Sequence, residues 1–320
     1  MTNDPSKLKM IFMGTPEFAE KILSALISEK YNLVAAYTQP NKKVGRKQIL
    51  EKSPVKITAE KNNIPVFTPS RLDHEALAEI EKQKPDLILV AAYGKILPKA
   101  VLDLPEFGAI NVHASLLPKY RGASPIQNAI LAGETETGAT IMLMDAGIDT
   151  GDILSQHAIE IEKNETGLEL SEKLAGISAT LLLETLSLWL AKKITPQKQA
   201  GFGATFCKMI NRADGKIDWN DSAKNIYNRW RAFFPWPGVF SVWKRNGKVL
   251  RLKLNKINIS SESQGRATEP GTILKIEEKI AVATSHSFVI LETVQLEGKP
   301  ETKIESFING YPDFIGSVLK

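Results

Sequence analysis

A single cysteine, Cys207, is the whole thiol content of the 320-residue chain. One thiol excludes an intramolecular disulfide, and the four histidines form no Cys/His group with zinc spacing. Cys207 reads as a small, half-buried thiol and not as a nucleophile. No uninterrupted apolar run reaches the length needed to cross a bilayer, and the start MTNDPSKLK has no apolar signal core. Internal repeats and low-complexity tracts are also missing. These absences make a cytoplasmic globular protein the default expectation.

Hydrophobic residues make up 43% of the chain and charged residues 24%, a balance that fits substantial buried cores, and the length suits two domains. The net charge of +5 is unevenly spread. Between Lys208 and Lys256 twelve lysines and arginines stand against three aspartates, and between Asn41 and Lys61 seven stand against two glutamates. Two basic patches on a mild average suggest a polyanionic partner, against the blander reading of a solvated lysine-rich surface. Trp219, Trp230, Trp236 and Trp243 are interleaved with the second patch as possible stacking surfaces for bases, although a Trp in a helix-and-proline corner is usually core.

LKMIFMG (8–14) reads as a buried strand, Pro16 opens a helix, and YNLVAAYT (31–38) is the next strand, which implies a right-handed parallel crossover. Gly14-Thr15-Pro16 stands where a dinucleotide loop would lie. It lacks GxGxxG, and Pro16 removes an amide donor, so a nicotinamide cofactor is not expected. Residues 39–53 are expected to form a long loop. Helices over 53–63 and 74–84 flank a short strand, and PDLILVAAYG (85–94) is a strand buried on both faces. Strands at 139–147 and 153–161 follow a helix at 125–133, with His157 on an edge strand. An amphipathic helix from Leu168 to Lys193 ends the first domain. The pattern predicts a doubly wound, Rossmann-like α/β sheet with its site at the strand C-termini.

Residues 191–208 form a linker carrying Pro196, Gly201 and Gly203, which divides the chain into domains 1–190 and 209–320. A helix is expected over 218–233, then short strands separated by turns at Asn246-Gly247 and Pro270-Gly271. That spacing predicts a small OB-like β-barrel, with a β-sandwich as the rival.

The most informative stretch is Gly108 to Gly151. Asn111 and His113 lie two apart on a strand and so share a face. The turn Ser115-Leu116-Leu117-Pro118, a basic loop and, later, Asp149 among glycines follow. An amide, an imidazole and a carboxylate converging at strand ends would suit acyl transfer, which needs an oxyanion donor, a proton carrier and a group that tunes the carrier.

NVHASLLPKYRGASPIQ and DAGIDTGDIL, with GTPEFA near the start and AYGKILP at 92–98, resemble the folate-dependent formyltransferases. KIDWNDSA and RAFFPWPG place the resemblance on the branch whose acceptor is the α-amino group of methionyl initiator tRNA. The resemblance implies that Asn111, His113 and Asp149 are the catalytic triad and that Ser115, Leu116, Leu117 and Pro118 form the folate-binding turn. It implies 10-formyltetrahydrofolate as the donor and a monomeric enzyme without metal. The 39–53 loop would meet the tRNA acceptor end through Lys42, Lys43, Arg46 and Lys47. Lys42 departs from the arginine of many members, keeping the charge and losing the planar fork. On this reading Asn111 and a protonated His113 donate to the oxyanion, Asp149 raises the His113 pKa, and His113 or a water it holds relays the amine proton to the departing folate nitrogen. Two other readings remain: a folate-dependent formyltransferase acting on a nucleotide-sugar or other small amine, and a non-enzymatic tRNA-binding module with a relic site.

Overall fold

The computed structural model describes residues 7–45, 48–260 and 268–320. They divide into two compact units, the first from residues up to 125, 136–160 and 170–208, the second from 126–135, 161–169 and 209 onward.

Seven strands form the sheet of the first unit: β1 (Met10–Gly14), β2 (Leu33–Tyr37), β3 (Val66–Phe67), β4 (Leu87–Ala91), β5 (Ala109–His113), β6 (Glu136–Leu143) and β7 (Ile153–Glu160). Their order is β7-β6-β5-β4-β1-β2-β3. The five from β3 to β5 run parallel, and β6 and β7 add an antiparallel edge. Every residue of β1, β4 and β5 is buried, as unbroken apolar runs require of strands covered on both faces. Helix α1 (Glu17–Ser28) turns Phe18, Ala19, Ile22, Leu23 and Leu26 inward, a stripe at helical spacing. Helix α2 (Pro54–Lys61) starts where the Ser53 hydroxyl accepts the Lys56 N–H at 3.1 Å. Helices α3 (His74–Gln83), α4 (Lys99–Leu102) and α5 (Pro125–Leu131) follow. Helix α6 (Gly167–Leu190) is long and apolar enough, by length and composition alone, to cross a bilayer. Its Leu170, Leu174, Ala175, Leu182, Leu186 and Leu190 are nonetheless buried in the protein, in the expected amphipathic stripe.

Where the strand order reverses, between β1 and β4, the crevice is bridged by side chains. The Thr15 hydroxyl donates to the Tyr93 carbonyl at 3.1 Å, and Gln39 Nε2 donates to the Tyr93 and Gly94 carbonyls at 3.1 Å each. Gly14 permits this closeness, since a Cβ there would lie 2.9 Å from the Ala91 carbonyl oxygen.

Residues 39–53 depart from the expected loop. Lys42–Val44 and Ile49–Glu51 pair antiparallel as a two-stranded ribbon, with Gly45 at φ 70°. A lysine-rich sequence around a glycine reads as loop whether or not its backbone groups pair, because neither short strand alternates clearly. Arg46 and Lys47 lie outside the described residues.

In the second unit, helix α7 (Ala223–Phe233) is capped by the Ser222 hydroxyl, which accepts the Asn225 N–H at 3.2 Å. It begins five residues later than the polarity pattern predicts because Asp218 holds its own turn, accepting the Asn220 N–H at 3.0 Å. Strands β8 (Val239–Arg245), β9 (Lys248–Ile259), β10 (Ile273–Ile276), β11 (Lys279–Ala283) and β12 (Phe288–Leu296) follow in the antiparallel order β8-β9-β12-β11-β10. Asn246 and Gly247, at φ 48° and 73°, make the tight β8–β9 turn. Residues 317–320 then join the two edges. Lys320 exchanges both backbone bonds with Val242 at 2.8 Å, Ile273 N–H reaches the Ser317 carbonyl at 2.9 Å, and Leu319 N–H reaches that of Gly271 at 2.9 Å. One sheet closed on itself removes its own edges and makes this a barrel, not two packed sheets.

Helix α8 (Ile304–Gly310) covers Trp243, whose ring meets Phe307, Tyr311 and Phe314 at centroid distances of 6.2, 5.7 and 5.0 Å. Trp219 is also core, with its indole N–H on Ser241 Oγ at 2.8 Å. Trp230 is half-buried, and Trp236 is 56% exposed.

Candidate active site

Strand β5 ends at His113, flanked by β4 on one side and β6 on the other. Asn111 and His113 share a face of this strand and are 8% and 5% exposed. Asp149 arrives from the connection between β6 and β7, on a backbone at φ 51°. That connection is drawn tight by Asp145, whose Oδ1 accepts the Gly147 N–H at 3.0 Å and the Thr150 hydroxyl at 2.6 Å. Gly151 packs so closely on the Leu143 carbonyl that no Cβ fits.

The three predicted residues meet. Asp149 Oδ1 accepts from Asn111 Nδ2 at 3.3 Å, and Oδ2 accepts the Gly122 N–H at 2.8 Å. His113 Nδ1 is 3.6 Å from Asp149 Oδ2, longer than a hydrogen bond. His113 Nε2 lies 3.0 Å from the Tyr120 carbonyl oxygen. A neutral ring satisfies that closer acceptor with its Nε2 proton, which leaves the Nδ1 lone pair toward Asp149.

Burial pushes the His113 imidazole below its ordinary pKa, while the Asp149 carboxylate and the Tyr120 carbonyl act in the opposite direction. The upward push expected from Asp149 is present, but the net shift runs the other way. Asp149 does favour the cation, but desolvation of the ring outweighs it. Burial therefore favours the neutral imidazole, while the Asp149 carboxylate beside it favours the cation.

The Ser115–Pro118 turn contains a cis Leu117–Pro118 peptide. Ser115 and Leu117 are buried and their polar groups are committed within the protein. Ser115 Oγ donates to the Lys119 carbonyl at 2.7 Å, and the Thr140 hydroxyl donates to the Ser115 carbonyl at 2.6 Å. Thr140 Oγ1 accepts the Leu117 N–H at 3.2 Å, and Gln156 Nε2 donates to the Leu117 carbonyl at 2.9 Å. Leu116 and Pro118 are half-buried. The turn is thus a braced apolar shelf, not a set of free hydrogen-bonding groups. Thr140, Gln156, Tyr120 and Gly122 were not singled out by sequence. Only the alternation along β6 and β7 hints that Thr140 and Gln156 face this turn.

The Cys207 thiol lies 3.4 and 3.2 Å from the carbonyls of Tyr120 and Arg121, and burial pushes its pKa up, opposite to what an activated nucleophile needs. Among the described residues, no group of three or more His, Cys, Asp or Glu side chains converges as a metal site.

Lys42 and Lys43 are exposed on their ribbon. The second basic stretch is partly committed to structure. Arg231 is buried against the Glu165 carbonyl at 2.9 Å and Asn228 Oδ1 at 2.7 Å, Arg245 pairs with Asp313 at 2.7 Å, and Lys256 pairs with Glu292 at 2.8 Å.

Two family profiles match the chain: formyl transferase over residues 7–186, and formyl transferase, C-terminal domain, over residues 209–312. The methionyl-tRNA formyltransferase of Caldicellulosiruptor saccharolyticus is 46% identical over 316 residues, 98% of this chain and 100% of that relative. The methionyl-tRNA formyltransferase of Alkaliphilus oremlandii is 42% identical over 314 residues, 98% of this chain and 99% of its own. Among solved structures, a sugar 3N-formyl transferase crystallised with dTDP and 5-N-formyl-THF is similar at a TM-score of 0.65 and 21% identity, covering 92% of this chain and 99% of its own. HypX of Aquifex aeolicus in complex with tetrahydrofolic acid is similar at 0.64 and 16% identity, covering 96% of this chain and 48% of its own. These two likenesses carry the fold alone.

Proposed function

This chain belongs to the formyl transferase family, and we propose that it transfers a formyl group from 10-formyltetrahydrofolate to the α-amino group of methionyl initiator tRNA. The observation that carries the reading is the meeting of buried Asn111 and His113 with half-buried Asp149 in a chain 46% identical, over 98% of its length, to a methionyl-tRNA formyltransferase.

The nucleophile is an amine, so no covalent Ser or Cys is needed. As the amine attacks the formyl carbon, a C–N bond forms and the carbonyl oxygen gains charge. Asn111 Nδ2 carries a second N–H besides the one on Asp149, and this donates to the oxyanion. The attacking nitrogen becomes acidic, and neutral His113 takes its proton at Nδ1. The cation so formed keeps its Nε2 proton on the Tyr120 carbonyl and lies beside the Asp149 carboxylate, whose charge favours it. The proton then passes to the departing folate nitrogen as its bond to the formyl carbon breaks. The donor supplies the activated formyl group, and Leu116 and Pro118 offer it an apolar edge.

In this proposal residues 1–190 are the catalytic domain, 191–208 the connector and 209–320 the tRNA-binding domain of a cytoplasmic monomer. Lys42, Lys43, Arg46 and Lys47 neutralise phosphates at the acceptor end, and the 208–256 cations track the backbone. The test is formyl transfer to methionyl initiator tRNA, run beside uncharged tRNA, free methionine and an amino-sugar nucleotide. Product with the charged tRNA alone is expected, and comparable product with the sugar amine would overturn the acceptor assignment.

A further inference from the structure

Asp149 sits on a left-handed backbone, a conformation that costs a non-glycine residue energy and persists only where its surroundings hold it. The Asp145 contacts brace the start of this loop. Its end is braced by one side chain from a distant segment, Gln199. Gln199 Nε2 donates to the Asp149 carbonyl and to the Gly151 carbonyl, both at 2.8 Å. Its Oε1 accepts from Arg121 Nε at 3.1 Å and Nη2 at 2.6 Å. Arg121 directly precedes Gly122, whose N–H holds Asp149 Oδ2. One amide therefore ties together the backbone that presents the Asp149 carboxylate and the strand that binds it. Gln199 is itself placed by its neighbour Gln197, which exchanges backbone hydrogen bonds with Ile153 at 2.8 and 2.9 Å.

We infer that Gln199 is a positioning residue for the transfer reaction, setting the distance between the Asp149 carboxylate and His113. The inference rests on the roles proposed above for those two residues. A carboxamide suits the task because it donates twice through one end and accepts through the other. Glutamate in its place would keep the Arg121 contact and set a carboxylate against two carbonyl oxygens. Beside the His113 ring lie the Asp149 carboxylate and, on the shared Tyr120 carbonyl, the Cys207 thiol, while the Arg121 guanidinium is held on Gln199. Gln199 holds the Asp149 backbone through Nε2 and the Arg121 guanidinium through Oε1, and Gln199→Glu keeps the second contact while losing the first.

The test is a comparison of Gln199→Met, Gln199→Ala and Gln199→Glu in the full-length enzyme, with kcat and KM measured across pH. Misplacement by about an ångström costs on the order of 10- to 100-fold in turnover. That loss is expected in kcat for Met and Glu alike, with KM for the folate donor unchanged. A weakened carboxylate stabilises the imidazolium less, so the rising limb of the pH profile is expected to move to lower pH. Gln199→Met keeps the volume and decides the matter if the alanine variant unfolds. Wild-type kcat in Gln199→Met, or a lower kcat with the limb unmoved, would overturn the inference. A wild-type enzyme that prefers a small amine to charged tRNA would overturn the acceptor assignment instead, and the same pH profiles read with that amine would still decide the role of Gln199.

Discussion

Two buried clusters, one in each unit, show burial doing opposite work. Around Trp243 the partners are rings, and the apolar surface removed from water stabilises the barrel. Around His113 the partners are a carboxylate and a carbonyl, and the same removal from water disfavours the charged state of the ring. The first cluster is there to stay folded. The second is held in place by the fold at some cost, and in the proposed reaction that cost provides a base that is neutral at rest. Substitutions should separate the two cleanly, with activity lost at one and stability at the other.

The largest effect is expected at the polar cluster. His113→Ala should lower transfer on the order of 10²- to 10⁴-fold, with the melting temperature little changed. A variant that melts early instead would make His113 a core residue and erase the contrast. Next comes Trp243→Ala, which should cost about 3 to 5 kcal/mol of stability in the second unit, measured by denaturant unfolding. The smallest effect is in pH. The folded-state pKa of His113 is depressed, so its contribution to stability is fully present above the unfolded value and is lost as pH falls through the folded one. Unfolding free energy should therefore decline in that window with a slope of up to about 1.4 kcal/mol per pH unit from this group, and His113→Gln should flatten it.

Much of this was readable in the chain itself. The apolar runs of β1, β4 and β5 announced central strands, and the two-residue spacing of Asn111 and His113 put them on one face. The strands of the second unit and the Asn246-Gly247 turn were equally plain. What sequence could not deliver depends on contacts between distant segments or on competing energies. The ribbon within residues 39–53 is invisible because pairing, not composition, makes it. Barrel closure rests on Lys320 meeting Val242, and the brace on the Asp149 loop comes from Gln199. The sign of the His113 shift needed the extent of its burial, since the carboxylate beside it argues the other way.

The catalytic role of His113 turns on that sign, and the most direct measurement is an NMR titration of the imidazoles in the full-length protein, with the His113 signal assigned by its loss in His113→Gln. The expected result is a His113 midpoint below the ordinary value of about 6.5, and lower still in Asp149→Asn. A midpoint at or above that value in the wild type, or one that rises when Asp149 is neutralised, would contradict it.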